Sequence, residues 1–230
     1  MSATNGGSRA YRSELRDAMA LETRRRIRSA ATELFTDLGY AATTIEAIAK
    51  KAGVSRRTVF NTFESKAGLV MQIFLTQVHG EDEPEPGWMR KRIESAREMD
   101  DPRAMIGLVA EAAAELATRT RVAWTLAQEA ARSDPDVAAL LHDNEEQRYR
   151  SIVLVDLLAE KGMLRTDLPS EVLRRGTWLL CAPATAFTAI HAGLTPDLYR
   201  TWLAECLTGL LLPPPVTNTA SRHRHRRRAS

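Results

Sequence analysis

The stretch TTIEAIAKKAGVSRRTVFNTFESKAGL, residues 43–69, decides how the chain folds. Thr43 and Glu46 have the spacing of a capping box, in which each side chain satisfies a free backbone N–H at a helix start. Ile45, Ile48 and Ala49 then share one helical face. Lys50 and Lys51 fall in the last turn, where the helix dipole favours cations. Gly53 follows, the residue that enters a left-handed C-cap at little cost. The spacing predicts a short helix from Thr43 to about Ala52. Ser55 is a suitable N-cap for a second helix, and Val54 with Val59 occupy the positions of a hydrophobic staple. Val59, Phe60 and Phe63 supply that helix with an apolar side for packing, and Arg56, Arg57 and Thr58 form its first turn. Ser65 and Lys66 stand where a third helix begins. This is the layout of a helix-turn-helix, whose second helix enters the major groove with its first residues on base edges. Arginine bonds bidentately to guanine there, and threonine donates, accepts or touches a thymine methyl. A lysine beside free N–H groups at a helix start suits a phosphate.

Upstream, residues 23–38 carry Ile27, Ala31, Leu34, Phe35 and Leu38 on one helical face, and Gly39 closes that helix. The runs TRRRIRSAATELFTDLGY (residues 23–40) and TTIEAIAKKAGVSRRTVFNTFESKAGL together resemble the tetracycline-repressor (TetR) family of bacterial regulators. The resemblance covers roughly residues 21–70, nearly position by position. It implies an all-α homodimer of about nine helices, with helices 1–3 on DNA and a C-terminal helical bundle for ligand binding and dimerisation. It further implies that Thr44, Arg56, Arg57, Thr58, Asn61, Thr62 and Lys66 contact DNA, with Ser55 capping their helix at the same surface. One position departs from the family, which usually has tyrosine where Phe60 stands. Phenylalanine cannot donate a hydrogen bond to a phosphate. Thr62 likewise stands where the family often has histidine or tyrosine.

Charge divides along the chain in the same sense. Residues 1–70 carry 12 Lys/Arg against 7 Asp/Glu, residues 71–220 carry 15 against 22, and the last ten residues carry five arginines and no acid. A basic head on an acidic body is the asymmetry expected if one end meets a polyanion. The division expected is a flexible basic extension (residues 1–20), a DNA-binding domain (21–66), a ligand-binding and dimerisation domain (67–213) and a disordered basic tail (214–230). Arg9, Arg12 and Arg16 in the extension and the arginines of the tail would add non-specific, salt-sensitive affinity for DNA; solvated ends without a role are an even alternative. A chain of 230 residues can bury a sizeable core. Cys181 and Cys206 are too few for a disulfide framework and lack metal-ligand spacing. With no signal-like segment and no run long enough to span a bilayer, the expected location is the cytoplasm, with no membrane partner.

Beyond residue 66 helical patterns recur with short breaks. Leu69, Val70, Ile73, Phe74 and Val78 mark a fourth amphipathic helix. Residues 80–87, GEDEPEPG, read as an acidic loop. Asp101-Pro102 and Asp134-Pro135 each read as a capped helix start with proline at the first position. Residues 136–161 are expected as one long helix, 169–191 as another that Pro183 kinks or breaks, and 196–212 as the last. The last two are too apolar for a solvated surface. They are therefore expected to form a four-helix interface with the same helices of a second copy, through Leu180, Ala184, Phe187, Trp202, Leu203, Cys206 and Leu210. A ligand cavity lined by Trp88, Met105, Leu108, Trp124, Gln128, Tyr149, Ile152, Trp178, Cys181 and Phe187 would suit a small apolar ligand, although each residue alone fits ordinary core better.

Other constellations carry less. His142 with Glu145 and Glu146 could share a metal, but no second ligand set accompanies them and a solvated face explains them better. No phosphate loop, zinc-protease or nucleophile motif occurs, so neither a catalytic residue nor a cofactor is expected. The sequence thus points to a regulator, more specifically a repressor, released from a near-palindromic double-stranded DNA operator by a small molecule. Open alternatives are the same DNA-binding dimer without an effector, an activator, and a helical enzyme or scaffold that has lost DNA binding.

Overall fold

Among the described residues, six helices begin at a residue whose side-chain oxygen accepts a backbone N–H of the first turn: Thr44, Ser55, Ser65, Asp101, Asp134 and Thr195. Such caps satisfy donors that the helix itself cannot. The structure is a computed structural model that describes residues 6–80 and 87–214, with side chains for residues 15–80 and 91–214. Among the described residues there are eleven helices and no strand. They are α1 (Gly6–Leu38), α2 (Ile45–Ala52), α3 (Arg56–Phe63), α4 (Lys66–His79), α5 (Gly87–Glu98) and α6 (Pro102–Ala131), followed by α7 (Pro135–Arg150), α8 (Leu154–Glu160), α9 (Ser170–Leu180), α10 (Pro183–His191) and α11 (Pro196–Leu211).

The all-α class expected from the sequence is what is found, with more helices than the nine implied. Three differences account for this count and for the boundaries. The first helix starts at Gly6, so residues 6–20, expected as a flexible extension, are helical; no proline interrupts this stretch. Residues 136–161 form two helices, because the chain breaks at Ser151–Val153 without glycine or proline. There Ser151 Oγ donates to the carbonyl of Arg148, and the Ile152 carbonyl accepts from Arg174 of α9. Residues 169–191 are also two helices. Pro183 sits in the first turn of α10, where its missing N–H costs nothing.

Two apolar clusters form the core. One joins α1–α4 to the C-terminal half of α6 and the start of α7 through Ile27, Ile48, Val59, Phe63, Phe74, Trp124, Val137 and Leu141. The other holds the N-terminal half of α6 together with α8–α11 through Met105, Ile106, Leu158, Leu173, Tyr199, Leu203 and Leu207. Helix α6 is common to both and packs against α4, α7, α10 and α11. At 1.5 Å per residue its 30 residues form a rod of about 45 Å. Phe187 of α10 packs against both clusters. No helix among the described residues is long and apolar enough to cross a membrane.

Candidate functional site

The reading unit is built from local rules. Helix α2 ends at Gly53, whose φ of 66° is the left-handed conformation of a glycine C-cap. Ser55 Oγ accepts from Thr58 N–H and fixes the start of α3. Val59 and Phe63 are buried beneath that helix, so Arg56, Arg57, Phe60 and Asn61 are turned to solvent. The turn from α3 into α4 is tight. Glu64 has a φ of 62°, and a Cβ on Gly68 would lie 2.4 Å from the Phe63 carbonyl oxygen, so only glycine fits there.

Three expectations need correction. The helix start is Thr44, whose Oγ1 accepts from Ala47 N–H, while Thr43 is buried and donates to the carbonyls of Gly39 and Leu34. No Thr43–Glu46 capping box forms. Instead Glu46 pairs with Arg56 at 3.0 Å, tying α2 to the first turn of α3. Phe60 is not a packing residue: it is 63% exposed, because its position on α3 lies one step round from the buried Val59. Lys66 is not held out toward solvent. Its ammonium donates to the carbonyls of Tyr40 and Thr43 at 2.9 and 3.0 Å and lies 4.0 Å from the Tyr40 ring centre. Arg57 and Asn61 make no side-chain hydrogen bond or ion pair among the described residues. Thr58 Oγ1 lies 2.8 Å from Ser55 Oγ, and Thr62 Oγ1 donates to the Thr58 carbonyl.

The loop between α1 and α2 is also bound to the body. Tyr40 donates its phenolic proton to Asp134 at 2.5 Å, and the other oxygen of that carboxylate caps α7 by accepting from Asp136 and Val137. The Tyr40 hydrogen bond is the main reason the Asp134 carboxyl lies below its ordinary range. Burial, reinforced by the carboxylate, pushes the Tyr40 phenol well up, so it stays protonated. Residues 40–43 are therefore gripped twice, by Lys66 at the start of α4 and by Asp134 at the start of α7. Sequence reading assigned Asp134 only to capping and gave no sign of its bond to Tyr40, 94 residues away.

At the far ends of those two helices lies a cavity of ≈ 600 Å³. Helix α4 lines it with Phe74, Leu75 and Val78, α5 with Ile93, α6 with Leu116 and Thr120, α7 with Asn144, Glu145 and Arg148, and α10 with Pro183. A smaller apolar cavity of ≈ 230 Å³ adjoins it, the two sharing Ile93, Leu116, Arg148 and Ser151. Arg148 is fixed between them. Its Nε and Nη2 donate to Glu145 Oε2 at 3.0 and 2.6 Å, its Nη1 donates to the Trp178 carbonyl at 2.9 Å, and its guanidinium lies 4.8 Å from the Trp178 ring centre.

Of the lining residues expected from sequence, Leu108, Ile152 and Cys181 border the smaller cavity. Met105 and Trp124 are buried core instead, Trp124 against Phe74 with ring centres 5.6 Å apart. Gln128 is exposed and borders neither cavity. Tyr149 packs edge-on against Trp178 and donates to Glu171, so these rings support Arg148 rather than line either space. Phe187 is taken up between the two clusters, and the side chain of Trp88 lies outside the described residues, as do those of Arg9, Arg12 and the tail beyond Pro214. Burial pushes the Cys181 thiol up to about 12 and raises that of Cys206, which favours the protonated thiol at both. Among the described residues no group of three metal-ligating side chains comes together.

The expected pairing face also divides. Leu203 is fully buried within its own chain and cannot meet another, because it points from α11 toward α6 and the second cluster. Leu180, Phe187 and Leu210 are half-buried against that cluster, with Leu210 seated over Gly176. Ala184 and Cys206 are exposed and half-buried respectively. The large apolar side chains of α9 and α11 that stand in solvent are Val172, Leu179, Leu198 and Trp202.

A capped helix-turn-helix on an all-helical body with an internal cavity defines a class of architecture, a small helix-turn-helix head carried by a larger helical domain. Comparison with known proteins gives the family. Residues 27–73 match the family described as "Bacterial regulatory proteins, tetR family". That match covers the reading head, about a fifth of the chain, and a solved structure described as a tetR-family regulator shares the fold at 19% identity. A curated relative, the uncharacterized HTH-type transcriptional regulator YhgD of Bacillus subtilis, is 40% identical over 58 residues, 25% of this chain and 30% of that protein. The chain thus covers under a third of the length of the curated relatives it matches. NalD, the secondary repressor of the MexAB-OprM multidrug efflux pump in Pseudomonas aeruginosa, has a similar fold at 22% identity, over 84% of this chain and 98% of NalD, with a TM-score of 0.62. SmeT in complex with triclosan is similar at 16% identity, over 85% and 94%, with a TM-score of 0.60. At these identities the likeness concerns the fold.

Proposed function

We propose that the protein is a transcription regulator that binds a near-palindromic operator as a homodimer and releases it when a small, largely apolar molecule enters the helical cavity. The observation that carries this reading is the lever formed by α4 and α7. Each has one end on the cavity, at Phe74–Val78 and at Asn144–Arg148, and its other end on residues 40–43 of the reading unit, through Lys66 and Asp134. A ligand that prefers a wider separation of these helices shifts the population toward a dimer whose reading heads fit the duplex poorly. Arg57 and Asn61 on the outward face of α3 read bases, Arg56 joins them when its pair with Glu46 opens, and Thr44, Ser55, Thr58 and Thr62 lie close enough to serve the backbone. Lys66 acts chiefly as a brace, with one N–H beyond the two it uses within the chain.

The second copy covers the exposed apolar side chains of α9 and α11, Leu179 and Trp202 among them. Pairing of this kind lets two recognition helices meet successive major grooves about 34 Å apart. Repression rather than activation is supported by the repressor NalD, and a small-molecule effector by SmeT in its triclosan complex. The reading is not that of an enzyme. It is tested by selecting bound sequences from a random duplex pool with the purified chain. Enrichment of an inverted repeat with half-sites about one helical turn apart is expected. Recovery of unselected DNA would remove sequence-specific regulation, and sedimentation as a monomer at micromolar concentration would remove the dimer.

A further inference from the structure

We infer that the ligand of the cavity is an apolar molecule bearing a hydrogen-bond-donating head, a hydroxyl or a protonated amine, which it presents to Glu145. This rests on the cavity being a ligand site, as proposed above. Of the polar residues that line the cavity, His79, Glu94, Arg97 and Gln147 are exposed and Asn144 is half-buried; among the buried side-chain polar atoms of the described lining, one lacks a hydrogen-bond partner. Thr120 Oγ1 donates to the Leu116 carbonyl. Arg148 donates from Nε and Nη2 to Glu145 and from Nη1 to the Trp178 carbonyl. Glu145 Oε2 receives both of the Arg148 bonds, while its other oxygen, Oε1, is buried with no hydrogen-bond partner among the described residues. A buried carboxylate oxygen without a donor is costly, and more so than a neutral acceptor. Trp178 Nε1 is a second buried group without a partner, but its residue borders neither cavity, so it does not set the chemistry of an occupant.

The buried part of the lining therefore holds an acceptor in excess, beside an arginine whose bonds go to Glu145 and to the Trp178 carbonyl, while Arg97 lines the exposed part. A ligand carboxylate would meet the like charge of Glu145, and three of the five N–H groups of Arg148 are already used within the chain. A ligand N–H or O–H would complete Oε1 while its apolar part fills the space against Phe74, Val78, Ile93 and Leu116. The hydrogen bond would also act on α7, the helix whose other end holds Tyr40 through Asp134.

Four matched probes separate these chemistries: 4-phenylphenol, 4-phenylbenzylamine, 4-methoxybiphenyl and biphenyl-4-carboxylate, titrated into the full chain by calorimetry. The phenol or the amine is expected to bind at least about tenfold more tightly than the methyl ether. Glu145→Gln is expected to reduce that preference to about threefold or less while leaving ether affinity unchanged; the ether provides the check that the variant is folded and its cavity intact. Equal binding of ether and donors, tightest binding of the carboxylate, or an undiminished preference in Glu145→Gln would overturn the inference and leave the cavity as a ligand site. Failure of all four to bind would overturn both. Binding with the donor preference but with no change in affinity for operator DNA would uphold the ligand class and remove the regulatory role.

Discussion

The reading head and the cavity-bearing body obey different rules, and one pair of helices joins them. In the head, α2 and α3 are only eight residues each, and every boundary is set by a neighbour in sequence: Thr44, Gly53, Ser55, Ser65. In the body, boundaries and burial are set by distant partners, such as the Ile152 carbonyl bonded to Arg174 or Arg148 bonded to Trp178. Helices too short to be stable alone must carry their punctuation locally. Longer helices packed around α6 can be broken, bent or charged inside wherever tertiary contacts compensate. The head is thus a rigid device for presenting side chains, and the body is where a second molecule can alter the balance.

The largest effect that would sharpen this contrast concerns the two neighbours Trp202 and Leu203. Leu203→Ala empties a fully buried position and is expected to cost about 2–5 kcal/mol in unfolding free energy, measured by chemical denaturation. Trp202→Ala, on the exposed face of α11, is expected instead to weaken dimerisation with little change in the fold, measured by sedimentation across a concentration series. Equal effects on both quantities would mean that body and pairing face are not separable. Next in size, Arg57→Ala is expected to weaken operator binding by about 1–3 kcal/mol and relax preference at one base pair, with the melting temperature unchanged. Unchanged affinity would move base reading elsewhere on α3.

How much was legible follows from the same contrast. The starts of α3 and α4, the glycine C-cap of α2 and the aspartate-proline starts of α6 and α7 could be read because cap, staple and dipole all act within a few residues. Thr43 was misread by one position because two adjacent threonines compete for the cap, and the bonds of Thr43 to Leu34 and Gly39 decide in favour of Thr44. The cavity was poorly legible. Periodicity marks Met105, Trp124 and Leu203 as apolar but not which way they face. Glu145 reads with His142 and Glu146 as a solvated face of α7, and Arg148 gives no signal, since nothing in sequence announces that α5 and α10 will lie over them. Tyr40–Asp134 was invisible for the same reason.

That bond yields the next prediction, a test of whether head and body are coupled at all. Tyr40→Phe keeps the ring under Lys66 and removes only the donor to Asp134, at an expected cost of about 1 kcal/mol at neutral pH. Because the Asp134 carboxyl is lowered in the folded chain, its contribution is fully present above the ordinary carboxylate value of 3.8 and is lost as pH falls through the lower folded value. The stability difference between parent and variant should therefore be constant at neutral pH and shrink in acid. A difference that does not shrink would assign the loss to packing. If the lever operates, the variant should also respond less to a cavity ligand in DNA release.

The smallest effect lies on the reading face itself. Phe60 is 63% exposed beside Arg56 and Arg57, and Phe60→Tyr adds a single hydroxyl to a ring that already stands in solvent. Stability should not change, since no buried space is filled. If the ring approaches the phosphate backbone, the hydroxyl supplies a donor the chain lacks, and operator affinity should rise by about 0.5–1 kcal/mol with base preference unaltered. If the ring instead lies against a thymine methyl, the polar tip must be desolvated there and affinity should fall, most for sites carrying that thymine. Anisotropy titrations on an operator and on the same operator with that thymine replaced by uracil distinguish the two cases, because only apolar contact with the methyl group is sensitive to its removal.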